Sequence, residues 1–230
     1  MDADSQTPDS MSLVLSVQPP SYPAESITRA ARILRDGGVA VFPTETVYGI
    51  GADIRCPEAV SRVFALKKRD LSQPLMAHCA SPLQMLEYVT EVPPWVQPLL
   101  GQFWPGPLSL VLRCSENVPP VVTGGGQTVG IRMVAHPATR DLLEELGAPI
   151  AGTSANLHGE PATSRFGAVN PALLGQVDVA LDAGLCGKHV PSTVLDVTQR
   201  PPRVLRVGAV GVQELERVVG QVLVGSGSTV

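Results

Sequence analysis

Residues 41–81, VFPTETVYGIGADIRCPEAVSRVFALKKRDLSQPLMAHCAS, set the plan of the chain. Val39 to Phe42 is a short apolar run that reads as a buried strand, and Pro43, Thr44, Glu45 and Thr46 end it in side chains suited to binding rather than packing. Gly49 and Gly51 read as a turn in which missing Cβ atoms let a ligand come close to the backbone. A helix starts at Pro57, the favoured first position for proline, with Val60, Val63 and Phe64 on one face. It runs into Lys67, Lys68 and Arg69, and a second apolar strand, Leu75 to Cys79, follows. Strand, polar turn, helix and strand in this succession predict an α/β domain.

Outward from this stretch the same alternation runs from about residue 13 to 223 with no Ser/Gly or charged linker. One domain over residues 12–223 is expected, with disordered tails at 1–11 and 224–230. On the N-terminal side, Ile27, Ala30, Ala31 and Leu34 recur at helical spacing and Gly37 closes that helix. On the C-terminal side, Ser81 and Pro82 begin a short helix, and strands are read at Leu108 to Leu112, Thr128 to Val134 and Pro149 to Gly152. The period of two puts Thr128, Gly130 and Arg132 on one strand face. Further strands are read at Val177 to Leu181, Ser192 to Val197 and Arg203 to Val207, and a closing helix near 211–223. Two strands that open into TET (44–46) and TSAN (153–156) point to one shared site in the crevice beyond strand ends.

Composition narrows the function classes. Of 230 residues, 44% are hydrophobic and 17% charged, enough apolar surface to bury a core. A net charge of −4 argues against a general nucleic-acid coat protein and leaves room for a local basic groove. Cys56, Cys79, Cys114 and Cys186 form no CxxC pair, and the first 20 residues lack a basic-then-apolar signal pattern, so the expectation is a cytoplasmic protein with free thiols. The four histidines show no metal-ligand spacing, and no apolar stretch approaches a membrane span.

Each candidate group also has a plainer reading. Lys67, Lys68 and Arg69 would complement the dipole of a helix C-terminus as readily as they would hold phosphate. Arg132 on a strand would ordinarily be a structural ion pair, and His78 a satisfied core histidine. Ser192 could simply open a strand, and Arg206 pair with a surface carboxylate. Glu45, the one carboxylate inside the opening motif, could hold a metal or orient its neighbours. Gly124-Gly125-Gly126 lacks the Lys-Ser/Thr partner of a P-loop, no GxGxxG opens a helix, and nothing resembles a nucleophile elbow. The inventory is rich in hydroxyls, glycine backbone and cations and poor in nucleophiles, which fits catalysis by positioning and charge neutralisation at phosphate.

Taken together and in order, PTETVYGIGAD (43–53), Lys67 to Arg69 with PLMAH (74–78), WPGPLSLVL (104–112), TVGIR (128–132), TSAN (153–156), STVLD (192–196) and LRVGA (205–209) make the chain resemble the YrdC-like family of threonylcarbamoyl-AMP synthases. The resemblance implies a twisted mixed β-sheet flanked by helices with a basic concave groove. It implies a nucleotidyltransferase that condenses L-threonine, bicarbonate and ATP into threonylcarbamoyl-AMP and pyrophosphate. A threonylcarbamoyl transferase complex would then modify adenosine 37 of tRNA, and a contact with tRNA itself is a further expectation. By match to the family's motifs, Thr46, His78, Arg132, the Gly152 backbone and Ser192 would form the threonine pocket. Lys67, Arg69, Gln73, Thr128, Ser154, Asn156 and Arg206 would hold ATP, with Mg²⁺ bound through its phosphates. Lys67, Arg69, Ser154 and Asn156 correspond to the family's KxR and SxN signature and are the first catalytic candidates.

The chain departs from the family's pattern at Lys68 and Asp70 for Gly and Pro, Gln73 for Asn, Pro191 for Glu, and Gly152-Thr153 for Ala-Pro, and altered affinity is expected. The extra C-terminal domain of longer relatives is expected to be absent. Two rivals stand beside this reading: a non-catalytic module that binds structured RNA through the same basic groove, and an enzyme of the same fold that makes a carbamoyl-adenylate from carbamoyl phosphate.

Overall fold

The computed structural model describes residues 12–225 apart from positions 158 and 188. Its first half runs β1 (Leu13–Ser16), α1 (Ala24–Arg35), β2 (Val39–Phe42), β3 (Gly49–Asp53), α2 (Pro57–Lys67), β4 (Met76–Cys79), α3 (Pro82–Tyr88) and α4 (Gln97–Phe103). It continues through β5 (Leu108–Arg113), α5 (Pro120–Thr123), β6 (Thr128–Met133), α6 (Pro137–Leu146), β7 (Ile150–Ser154) and α7 (Pro171–Leu174). The last elements are β8 (Val179–Asp182), β9 (Thr193–Asp196), β10 (Arg203–Arg206), α8 (Val212–Val219) and β11 (Leu223–Val224). The expected tails at 1–11 and 226–230 lie outside the described residues, while Val224 pairs with Val204 and so carries the sheet one residue past the expected boundary.

Helices form where the pattern predicts. Ile27, Ala30, Ala31 and Leu34 of α1 are buried together, and Ser81 caps α3 by accepting the Gln84 backbone N–H at 3.3 Å. α2 buries Val60, Val63 and Phe64 and stops at Lys68, which takes the left-handed conformation at φ 52°. That conformation suits glycine, and here a lysine carries it. The Arg69 N–H then closes on the Phe64 carbonyl at 3.0 Å and turns the chain toward β4.

The strands join one mixed sheet in the order β1-β8-β2-β3-β7-β4-β6-β5-β9-β10-β11. β2 turns straight back into β3, antiparallel, with Phe42 opposite Gly49 and Ala40 opposite Gly51. Gly49 and Gly51 therefore belong to a strand, not to the ligand-admitting turn read from the sequence, and their bareness serves packing. A Cβ on Gly49 would sit 2.7 Å from the Phe42 ring. One on Gly51 would sit 2.6 Å from the Ala151 carbonyl oxygen, and one on its strand partner Gly152 2.6 Å from that of Ile50. Two chains this close leave no room for side chains between them.

The core divides by sheet face. Val39, Val41, Ile50, Ala52, Ala77, Ile131, Ala151, Leu108 and Leu110 pack on one side with α2, α4 and α8 residues. On the other side Ala40, Phe42, Ile150, Val179 and Leu181 pack under α1 and α6. Among the described residues no helix is long and apolar enough to cross a membrane. Gly51→Ala should lower the free energy of unfolding by about 2 kcal/mol, the usual cost of forcing a methyl into a filled core, read from the urea midpoint. An unchanged midpoint would mean that β3 and β7 can separate freely.

Candidate active site

Strand alternation decides which side chains meet. Met76 and His78 of β4, Thr128, Gly130 and Arg132 of β6, and Gly152 and Ser154 of β7 fall on the face that α1 and α6 cover only in part. Met76 lies opposite both Gly130 and Gly152, and Met76 and Gly130 remain partly exposed although their strands are interior. The candidate site is thus a stretch of sheet face floored by glycine. The sequence reading placed it in the crevice beyond strand ends. Thr153 and Ser154 are still paired within β7, opposite Ile50 and Gly49, while Thr46 and Asn156 lie beyond the ends of β2 and β7, so the candidate site takes in both sheet face and strand ends.

One end of this floor gathers around Arg132. His78 and Arg132 are direct partners across β4 and β6, and both are buried. The Arg132 Nη1 donates to the Thr46 hydroxyl at 3.2 Å and lies 3.1 Å from Glu45 Oε1. The Glu45 contact is an ion pair by distance but off the line of a hydrogen bond, since Oε1 has no hydrogen-bond partner among the described residues. Thr46 is braced in turn by the Thr44 hydroxyl at 2.8 Å, and Thr44 donates to the Val47 carbonyl at 2.6 Å. Burial and the neighbouring Arg132 charge push His78 down to about 3, so its ring is neutral at physiological pH. Its Nδ1 lies 3.3 Å from the Ile150 carbonyl, which assigns the proton to Nδ1 and leaves Nε2 an acceptor. Ser192, just before β9, is also buried, and Arg206 of β10 donates to its hydroxyl at 3.1 Å and its carbonyl at 2.9 Å.

The other end, about 13 Å along the strands at ~3.3 Å per residue, gathers around Lys67. From the end of α2, its ammonium donates to the Ser154 carbonyl and to Asn156 Oδ1, the latter at 3.3 Å. The Asn156 amide is spent on the Leu157 and Glu160 carbonyls at 3.0 and 2.7 Å, which fixes its oxygen toward Lys67. Arg69 leans on the loop before β4, donating to the Pro74 carbonyl at 3.1 Å and to the Gln73 carbonyl at 3.4 Å. Gln73 enters this network by its backbone alone, and Thr128 shares the face without a side-chain hydrogen bond to the other members.

The cations feel one another. Burial first, then the Arg69 charge, lower Lys67 to about 8, with Glu160 opposing. Burial and then the charges of Arg132 and Arg69 lower Arg206. Arg132 itself is lowered by burial against the pull of Glu45. A cluster of like charges of this kind makes a local positive potential, which favours anions.

Comparison with known proteins fits this arrangement. The Sua5/YciO/YrdC family model, described as Telomere recombination, matches residues 32–208. The chain belongs to this family. It is 42% identical over 193 residues to the threonylcarbamoyl-AMP synthase of Pyrococcus abyssi, covering 84% of this chain and 57% of that one. It is 39% identical over 202 residues to the Bacillus subtilis threonylcarbamoyl-AMP synthase, covering 87% and 58%. The crystal structure of P. abyssi Sua5 complexed with L-threonine superposes with a TM-score of 0.89 at 39% identity, over 93% of this chain and 63% of that one. The chain therefore spans somewhat over half the length of these relatives. The mixed sheet flanked by helices is the Sua5 fold.

Within that family frame, one residue the sequence reading left out also stands at the site. Ser109 meets the Ser192 hydroxyl at 2.9 Å, fully buried. Its signal was available: in the run Leu108-Ser109-Leu110, the period of two sets the serine on the face opposite the leucines. Thr44 braces Thr46 as described, and Glu45, read as a metal holder or an orienting group, lies within ion-pair distance of Arg132.

Because the folded protein gives up the Lys67 proton near pH 8 rather than at 10.5, a bound polyphosphate loses one counter-charge as pH rises through that value. Calorimetry with ATP, whose phosphates are already ionised there, should show affinity falling as pH rises above about 8, and Lys67→Met should both weaken binding and flatten the decline. A decline that survives the substitution would assign the titration to another group.

Proposed function

We propose that the chain is an L-threonylcarbamoyladenylate synthase, converting L-threonine, bicarbonate and ATP into threonylcarbamoyl-AMP, pyrophosphate and water. The observation that carries this reading is the set of cations, Lys67, Arg69, Arg132 and Arg206, which stand near enough to feel one another's charge among hydroxyls and backbone carbonyls. The threonine complex of the similar P. abyssi protein supports it. Arg132 pairs with the amino-acid carboxylate, as a guanidinium does with planar anions. Thr46, Ser192, the Gly152 backbone and the neutral His78, with Nε2 as acceptor, complete the amino-acid end.

In this reading the threonine amine adds to carbon dioxide derived from bicarbonate, and a carbamate oxygen attacks the α-phosphorus of ATP as pyrophosphate leaves. Lys67 and Arg69, with Arg206, neutralise charge on the phosphoryl oxygens, and Ser154, Asn156, Gln73 and Thr128 set the nucleotide's place beside them. Mg²⁺ would enter as a companion of the ATP phosphates, and no step is assigned to it. The adenylate then passes to a threonylcarbamoyl transferase complex that acts on tRNA.

Pyrophosphate release should require ATP, threonine and bicarbonate together, and Lys67→Ala or Arg69→Ala should cut kcat/KM by about a hundredfold, in the range seen when a transition-state donor is removed. Release that ignores threonine would overturn the reading. Salt-dependent retention of structured RNA without any adenylate would favour the binding module instead.

A further inference from the structure

We propose that Glu45 is the positioning residue for the amino-acid end of the site, acting through Arg132. The inference rests on the reading of Arg132 as the partner of the threonine carboxylate. Arg132 is 3% exposed, so its charge must be answered by the protein, and Glu45 supplies the carboxylate within ion-pair distance. The same carboxylate does a second task. Its Oε2 accepts the Ala135 backbone N–H at 3.0 Å, just past the end of β6. One side chain from the turn after β2 thereby grips both the guanidinium of Arg132 and the backbone that carries it out of the sheet. Thr46, the next residue, receives the Arg132 Nη1 from the same turn.

The geometry specifies a carboxylate. Oε2 faces a donor and Oε1 faces a cation, so both oxygens are needed. A glutamine with its oxygen on Ala135 would turn its NH₂ against the guanidinium, and the flipped amide would leave the Ala135 N–H without its acceptor. Glu45 touches neither the phosphate-side cations nor Ser154 and Asn156, so its effect should be confined to the amino acid.

Steady-state kinetics of pyrophosphate release on Glu45→Gln, Glu45→Asp, Arg132→Gln and the double variant Glu45→Gln/Arg132→Gln test this. Glu45→Gln should raise the KM for L-threonine at least tenfold and leave the KM for ATP within twofold. Glu45→Asp, which keeps the charge on a shorter arm, should fall between. In the Arg132→Gln background the glutamine should add nothing further, because there is no cation left to position. A threonine KM unchanged by Glu45→Gln in an otherwise active enzyme overturns the inference alone. So does a parallel rise in both KM values with a lowered melting temperature, the mark of a merely structural role. A wild-type protein that shows no threonine-dependent turnover overturns the functional reading, and the role of Glu45 in it.

Discussion

A guanidinium buried in a β-sheet is the constraint around which this site is built. Arg132 stands on the interior strand β6, beside His78 and with almost no contact with water. Removing a charge from water costs several kcal/mol unless hydrogen bonds and an opposite charge replace the solvent. Here Thr46 and Glu45 replace part of it, through one hydrogen bond and one ion pair to Nη1, while Nε has no partner among the described residues; both come from a turn that follows β2 in the chain but is separated from β6 by more than eighty residues. The turn is in turn fixed by its own hydroxyls, Thr44 on Thr46 and on the Val47 carbonyl. The TET stretch thus supplies the hydrogen bond and the counter-charge that the Arg132 Nη1 receives.

The second condition is a bare floor. An interior β-sheet normally covers both faces with side chains or helices, yet here α1 and α6 cover only the end of the face around β2, β8 and β7. Over the middle, Gly130 and Gly152 flank Met76, and the close approach of β3 to β7 through Gly51 and Gly152 keeps the surface flat. The cations stand at the margins of this floor: Lys67 and Arg69 arrive from the end of α2 and Arg206 from β10. Burial and the neighbouring cations both work against the charges of Lys67 and Arg206.

Much of this was legible in the chain itself. The helical period of Ile27, Ala30, Ala31 and Leu34, the Ser81-Pro82 cap and the period of two through Thr128, Gly130 and Arg132 are local signals, and the structure realises each of them. The readings that failed needed partners. Gly49 and Gly51 look like a turn because glycine is common in turns, and only the Phe42 ring and the Ala151 carbonyl explain them as strand residues. The TSAN stretch reads as a strand end because its residues are polar, whereas pairing to Gly49 and Ile50 keeps its first half inside the sheet.

By itself, then, the sequence determined an α/β chain, the approximate place of most helices and strands, and a set of hydroxyls and cations whose order matches one family. Tertiary structure alone decided that His78 and Arg132 meet across one sheet face, that Ser109 joins Ser192, and that Glu45 reaches Arg132. The physical reason is range. Periodicity and capping act over a few residues and are written where they act. The pairing of Glu45 with Arg132, or of Lys67 with Asn156, depends on strand order, and strand order is settled by the packing of the whole sheet.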